Sequence, residues 1–441
     1  MYRLKSPLSA QLELTEACNN ACLHCYNYWR YEETGQRLDS DSLLRDFDHF
    51  EHILDCLAEQ EVRTVTFTGG EPFIRQDLLF DLIKAAKVRG LRVGVNTNGA
   101  LIDSAGIEQL KDSGTDFLLV SLLSNDPATH NEIAHSHSHH RTTEAISLLA
   151  ASGLNIAVNM VVSSHNWDMV RSTAMYVKDL GINEFSATPV LPCPLASTHH
   201  ELLLSPRQVV DVLDSLLWVS DQKMMVDVLE PLVHCMFNPE ERQRFARFLN
   251  HRSCSAGISD VVISPDGDVR PCILAMETYG NLFTDGWKTC WSNLSSWCSS
   301  DLLPAECLEC ESVDSCGGGC RVAAQAISGN MDGKDPYMRE PLTDTGAIEQ
   351  DSEESLRIAE DTVLVFPQGT SLREEAFGCV LFCGRSFMFL DQDGFRLVSY
   401  LRNQKSFSSG SIMRDINIDT DELIEFVSVL ANRGFLAPNP L

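Results

Sequence analysis

Between residue 10 and about residue 190, short apolar runs alternate with longer stretches whose apolar positions recur every three or four residues. The runs are Gln11–Thr15, Thr64–Thr68, Arg92–Asn96, Asp116–Leu122, Asn155–Val162 and Glu184–Val190. They are short and β-branched, so each predicts a buried strand. Ser40–Glu59, Leu78–Arg89, Ile107–Ser113, Thr143–Ser152 and Asp168–Leu180 carry the helical spacing between them. Strand and helix in strict alternation predict a parallel sheet, because parallel neighbours need a crossover and a helix is the usual one. The fold class expected is α/β, a partial (β/α)6 barrel of the TIM type over residues 1–230. In such a barrel the chemistry collects at the carboxyl ends of the strands.

The pattern then changes twice. Residues 254–337 are rich in cysteine and in turn signals such as Pro265-Asp266-Gly267-Asp268, with little helical periodicity. Bound metal rather than a large apolar core is expected to hold a domain at 231–340 together. Met338–Glu354 is acidic and poor in large apolar residues, which suits an exposed linker at 341–358. Beyond it Thr362–Phe366, Cys379–Phe382 and Phe387–Leu390 read as strands, with Arg373–Gly378 leading into the second. Phe395–Leu401 and Asp421–Ala431 read as helices, the latter opened by Asp419-Thr420-Asp421-Glu422 and stopped by Gly434. Residues 359–441 are thus a small, winged-helix-like β/α module.

Composition narrows the function. A net charge of −28 over 441 residues leaves no basic patch for nucleic acid or an anionic membrane. The opening MYRLKSPLSAQLELT lacks a secretory h-region, and no apolar run reaches the roughly 18 residues of a span, so the cytoplasm is expected. In that reducing compartment the 16 cysteines point to metal rather than disulfides. One group lies at 18–25 and another at 254–320. Cys56, Cys193, Cys235, Cys379 and Cys383 are scattered and read as small buried apolar residues.

Cys18-Asn19-Asn20-Ala21-Cys22-Leu23-His24-Cys25 places three thiols just after the first strand. A [4Fe–4S] cluster takes four ligands, so three thiolates leave one iron open to a small molecule. A zinc knuckle closed by His24 is the alternative. This triad resembles that of the radical S-adenosylmethionine superfamily. Gly69-Gly70-Glu71-Pro72 after the second strand is similar to the motif that binds the cofactor's methionyl amino group, and Asn96-Thr97-Asn98-Gly99 and Ser121 resemble positions lining the cofactor. One departure stands out: His135-Ser136-His137-Ser138-His139-His140 replaces the Arg-Gly pair often found there, and is expected as a solvated loop.

The second cysteine group is similar to the SPASM extension, which carries two auxiliary iron–sulfur clusters. The resemblance implies Cys254, Cys272 and Cys320 at the first, with Cys290 or Cys298 completing it. It implies Cys307, Cys310 and Cys316 at the second. The family's seventh cysteine falls where this chain has Tyr337, so Asp335 or Asp314 is expected as the last ligand. A zinc ribbon of Cys307, Cys310, Cys316 and Cys320 is the alternative. Residues 359–441 resemble the PqqD-like peptide-recognition domain, which binds a leader peptide as an added strand; by that resemblance Phe387–Leu390 and Asp421–Ala431 form the groove.

Together these resemblances imply a maturase that makes a 5′-deoxyadenosyl radical and crosslinks a ribosomally made precursor peptide through a thioether or carbon–carbon bond. S-adenosylmethionine is the implied cofactor, and a flavodoxin- or ferredoxin-type protein the implied electron donor. A sulfatase-maturing type of radical enzyme and a non-catalytic electron-relay protein are the competing readings.

Overall fold

A computed structural model of the chain describes residues 4–27, 45–193, 199–250, 254–297, 300–342, 358–384, 386–412 and 420–439. Ser6–Ile348 forms one compact unit and Glu349–Leu441, with Met1–Lys5, another.

In the larger unit, six strands pair in parallel in chain order: β1 (Ser9–Glu13), β2 (Thr64–Thr68), β3 (Arg92–Thr97), β4 (Phe117–Ser121), β5 (Ile156–Val162) and β6 (Glu184–Pro189). Helices Phe47–Glu59, Gln76–Val88, Ser104–Ser113, His139–Ala150 and Val170–Asp179 lie between them, each leading by a short turn into the strand that follows. The expected strands fall within two residues of the observed ones. The first helix starts at Phe47, capped by the Asp46 carboxylate, which accepts from the His49 N–H; residues 40–44 of the expected helix lie outside the described residues. Leu12, Val65, Phe67, Val93, Val95, Val120, Val158 and Met160 are fully buried. At about 1.5–3 kcal/mol for each large side chain removed from water, this core fixes the register.

The sheet does not stop at residue 230. Pro206–Asp221, opened by a Ser205/Gln208 capping box, leads into β7 (Met225–Asp227), which extends the sheet beyond β6. At the opposite side β8 (Asp260–Ile263) pairs in parallel with β1, from Ser9↔Asp260 to Leu12↔Ile263, and β9 (Val269–Arg270) closes that edge antiparallel. The expected boundary at 230 therefore does not divide the sheet, since the cysteine-rich segment contributes strands to it. A buried ion pair reinforces the junction. Arg270 Nη2 on β9 donates to Glu13 Oε2 on β1 at 2.6 Å, with both side chains 1% exposed. Arg270 Nη1 also donates to the Ala275 carbonyl at 3.0 Å.

The smaller unit contains β10 (Leu364–Val365), a meander of β11 (Ser371–Glu375), β12 (Gly378–Cys383) and β13 (Ser386–Asp391), and helices Gln392–Arg402, Ser409–Ile412 and Thr420–Asn432; β14 (Ala437–Pro438) returns to pair with β10. Cys379, Leu381, Met388 and Leu390 pack on Val398, Leu401, Leu423, Val427 and Leu430 as a core of its own. Most of the expected acidic linker, residues 343–357, lies outside the described residues, as does Asp419.

Removing one partner of a buried ion pair leaves an uncompensated charge, which costs about 3–5 kcal/mol. Arg270→Ala is accordingly expected to lower the urea stability of the metal-free protein by that amount, and a Glu13→Leu/Arg270→Met double variant to recover most of it. An unchanged unfolding midpoint for Arg270→Ala would remove the pair from the account.

Candidate active site

Beyond β1 the chain crosses the carboxyl end of the sheet carrying all three cysteines of the first group. Backbone contacts hold it there. Leu14 N–H donates to the Thr68 carbonyl (2.9 Å), Gly70 N–H to Thr15 (2.6 Å) and Glu71 N–H to Ala17 (2.8 Å). The approach is so close that a Cβ on Gly69 would lie 2.5 Å from the Thr15 oxygen, and one on Gly70 2.0 Å from the Ala17 oxygen. Gly69 also has φ +125°, a conformation open mainly to glycine. The glycine pair thus does a packing job for the cysteine loop as well as leaving room for a ligand.

Glu71 ties the exits of β2 and β3. Its Oε1 accepts from Phe73 N (3.1 Å) and Thr97 Oγ1 (2.7 Å), and its Oε2 from Asn98 N (2.8 Å). Burial pushes this carboxyl up to about 7, opposed by those three donors. Pro72 opens the one-turn helix Pro72–Arg75 beneath. Asn98 Nδ2 donates to Asn19 Oδ1 (2.8 Å) and approaches Cys18 Sγ at 3.9 Å. Asn27, buried at the end of the loop, donates through Nδ2 to the Gly69 carbonyl at 2.7 Å. On the other flank Ala21 and Leu23 N–H groups donate to Ala134 (3.1 Å) and Ile133 (2.9 Å) at the end of helix Pro127–Ala134.

These contacts open onto a cavity of about 350 Å³ lined by Cys18, Cys22, Cys25, Gly69, Gly70, Glu71, Asn98 and Ser121. Pro72 lies beneath rather than on the lining. The wall also includes His130, Asn159, Thr188 and Glu230, which the sequence reading did not single out. Thr188 Oγ1 donates to Asn159 Oδ1 at 2.8 Å. Asn159 is a polar residue inside the apolar run Asn155–Val162, a signal in the sequence that could have found it.

The histidine-rich tract is not a solvated loop throughout. His135, His137 and His140 are exposed, but Ser138 and His139 are buried. His135 takes a left-handed φ of 49° to end helix Pro127–Ala134. Ser136 Oγ donates to Asn20 Oδ1 (2.6 Å) in the cysteine loop. His130 Nδ1 accepts from the Leu123 N–H (3.3 Å), which leaves Nε2 to donate to Ser138 Oγ (3.2 Å). His130 also packs edge-on to His139, with centroids 5.3 Å apart. Burial pushes the His130 imidazole down to about 4.

The second cysteine group separates into two sets. Cys254, Cys272 and Cys320 come together with Glu230, each of the others raising the charge cost at Cys320. Burial pushes Cys272 up to about 12. Cys320 caps helix Arg321–Ser328, its Sγ accepting from Ala323 N–H at 3.4 Å. Cys290 does not join this set; its sulfur lies against Gly280, in the core shared with the barrel, and it responds to Asp285 and Asp268. Cys298 lies outside the described residues. Cys307, Cys310 and Cys316 line a second, small cavity together with Cys235, which the sequence reading took for a lone apolar residue. Cys320 is not among them, so the thiols expected for a zinc ribbon are split between two places.

Asp335, expected as the last ligand, is buried, and its oxygens accept from the backbone N–H groups of Cys320 (2.8 Å) and Tyr337 (2.9 Å). Asp314 is exposed. Among the described residues no three His, Cys, Asp or Glu groups are spaced as the ligands of a single metal ion.

Three thiols on one wall of a cavity, at the carboxyl ends of a parallel sheet and beside a glycine cradle, define a barrel enzyme built around a metal cluster. The donor set suits three irons of a cubane, and the cradle leaves backbone exposed to a small ligand beside the fourth. Residues 12–177, which carry the three cysteines and the glycine cradle, match the family described as the Radical SAM superfamily. That superfamily uses S-adenosylmethionine and a [4Fe–4S] cluster. The chain is 25% identical to a PqqA peptide cyclase of Granulibacter bethesdensis over 352 residues, covering 76% of this chain and 88% of that one. It is 29% identical over 304 residues to the antilisterial bacteriocin subtilosin biosynthesis protein AlbA of Bacillus subtilis, covering 65% of this chain and 60% of AlbA. In fold it is similar to Streptococcus suis SuiB solved with its precursor peptide SuiA, with TM-score 0.60, 17% identity and 76% of each chain covered.

The His130 shift sets a pH dependence. Its folded value, about 4, lies below its ordinary 6.5, so between these values the unfolded chain binds more protons and stability falls as pH falls. The raised Glu71 carboxyl works in the opposite sense over the same range, so the His130 contribution is read as a difference: on going from pH 7 to pH 5 the urea midpoint of metal-free His130→Asn is expected to change more favourably than that of the unmutated protein. An identical change in the two proteins would remove His130 from the pH dependence.

Proposed function

We propose that this radical SAM enzyme matures a ribosomally made precursor peptide, closing a thioether or carbon–carbon crosslink. The observation that carries this reading is the convergence of Cys18, Cys22 and Cys25 with the Gly69-Gly70 cradle on one cavity, in a chain that also holds a separate β/α unit. The relatives named for peptide cyclisation and bacteriocin biosynthesis support it. When bound, the cluster and S-adenosylmethionine supply a 5′-deoxyadenosyl radical that takes a hydrogen atom from the substrate.

The chain's own part is placement. Cys18, Cys22 and Cys25 hold the cluster. The Gly69-Gly70 backbone receives the methionyl amino group, and Glu71 fixes the strand exits that aim it. Pro72 stiffens the turn below, while Asn98 and Ser121 line the bound cofactor. Cys254, Cys272 and Cys320 hold one auxiliary cluster, and Cys307, Cys310 and Cys316 part of another.

The β/α unit is read as the receptor for the precursor's leader. Its three strands followed by three helices match the PqqD-like pattern. β13 lies at an edge of its meander, with Phe387 47% and Phe389 37% exposed and Met388 and Leu390 turned inward. An added strand would gain main-chain hydrogen bonds there, with side-chain selection from the aromatic pair. A flavodoxin- or ferredoxin-type donor would reduce the clusters. No described helix is long and apolar enough to cross a membrane; with the acidic charge, a cytoplasmic enzyme without a nucleic-acid partner is proposed.

Replacing Cys18, Cys22 and Cys25 together with Ala is expected to abolish release of 5′-deoxyadenosine by the anaerobically reconstituted, reduced enzyme while iron remains at the other cysteines. Continued release would show that the cluster assignment is wrong. Deleting residues 349–441 is expected to weaken binding of a leader-bearing precursor at least about tenfold, roughly 1.4 kcal/mol, and to leave peptide-independent cofactor cleavage within about twofold. Equal loss of both in a folded truncation would count against a separate leader receptor.

A further inference from the structure

The second auxiliary site is one thiolate short by the family's spacing, and the residues around the vacated position are occupied otherwise. Tyr337 is buried, its hydroxyl donating to the Leu204 carbonyl at 3.0 Å. Asp335 accepts two backbone N–H groups, and a Cβ on Gly319 would lie 2.6 Å from its Oδ2. Turning this carboxylate toward the thiols would break both hydrogen bonds inside a packed turn. Leaving a buried donor unsatisfied costs about 1–3 kcal/mol each.

A thiol arrives from elsewhere in the chain. The turn His234–Met236, shortly after β7, brings Cys235 to the cavity lined by Cys307, Cys310 and Cys316. The four are mutual electrostatic neighbours: Cys235 acts on Cys307 and Cys316, and Cys310 acts on Cys235. The placement is built rather than incidental. His234 is 1% exposed, its ring bonded to the Leu249 carbonyl at 3.3 Å, and its N–H donates to Cys316 Sγ at 3.5 Å. Cys235 Sγ accepts from Arg339 N–H at 3.2 Å. N–H···S bonds of this kind stabilise thiolates and tune cluster potentials.

We propose that Cys235 is the fourth ligand of the second auxiliary cluster, which is therefore an all-thiolate cubane on Cys235, Cys307, Cys310 and Cys316 with no iron open to substrate. This rests on the reading that the segment carries auxiliary clusters at all. The ligand comes from upstream of the cysteine-rich segment, so no downstream spacing reveals it.

The test uses full-length protein carrying Cys18→Ala, Cys22→Ala and Cys25→Ala, reconstituted anaerobically so that only auxiliary signals remain. Adding Cys235→Ala is expected to remove one reduced-cluster electron paramagnetic resonance signal or convert it to a three-iron type, with loss of roughly one to four irons per chain. Cys235→Ser is expected to shift the same signal, and Asp335→Asn to leave it in place. As a readout on the unmutated thiol, Cys235 in wild-type holoenzyme is expected to resist alkylation until the clusters are stripped. Unchanged iron and spectrum in Cys235→Ala, or equal alkylation before and after stripping, would overturn the assignment. Cys307→Ala separates the two readings: if it loses the signal while Cys235→Ala does not, only the fourth ligand is wrong. If Cys307→Ala is silent too, there is no second auxiliary cluster and the underlying reading falls with it.

Discussion

The site depends on one backbone-to-backbone contact, between the loop leaving β1 at Thr15–Ala17 and the glycine pair leaving β2. Side chains at Gly69 or Gly70 would occupy the space of the Thr15 and Ala17 carbonyls. Two parallel strands pair along their length by hydrogen bonds, but here the contact continues past the sheet, so that the cysteine loop lies flat across the strand ends. Glu71 extends the seam to β3, and Asn27 returns from the far end of the loop to the Gly69 carbonyl. The loop, which has no regular secondary structure of its own, is thereby held against the strand ends by backbone contacts.

β1 is also where the two halves of the larger unit meet. It pairs with β2 on one side and β8 on the other, and the Glu13–Arg270 pair locks β9 to it beneath the cysteine loop. A buried ion pair is an uncertain source of net stability, yet it is selective, because a slip of one residue would turn both charges away from each other. The auxiliary segment is thus registered to the same strand that launches the radical-site cysteines. The placement of the two cysteine groups relative to one another is set by the sheet and not by a linker.

Much of this was legible in sequence, for reasons that differ by region. The six strands were found because fully buried parallel strands are unbroken apolar runs, and the cysteine triad and GGEP motif fall at their ends. β11 was not placed as a strand because its inward positions are Arg373 and Glu375, which pair with each other at 2.7 Å instead of presenting an apolar face. The pairing of β8 with β1 across residue 230 was not legible because β8 is only four residues long and its partner lies some 250 residues earlier, a pairing that local periodicity does not encode. Asp335 was favoured because it is adjacent to the vacated cysteine position, but adjacency in sequence says nothing of where hydrogen bonds point. Cys235 was passed over for the converse reason: it stands alone in sequence and among thiols in space.

The place of Cys320, at the amino end of helix Arg321–Ser328, has a consequence of its own. The first-turn N–H groups of a helix carry a partial positive charge that favours an anion, and Ala323 N–H is directed at the Cys320 sulfur. Burial works in the opposite sense, against the thiolate. The helix dipole offsets part of that opposition only while the helix is intact, and the charged sulfur in turn steadies the helix end. Folding of Arg321–Ser328 and ionisation of Cys320 are therefore two halves of a single equilibrium. Whatever draws this sulfur toward its charged form steadies the helix end, and whatever frays the helix end returns the proton to the sulfur.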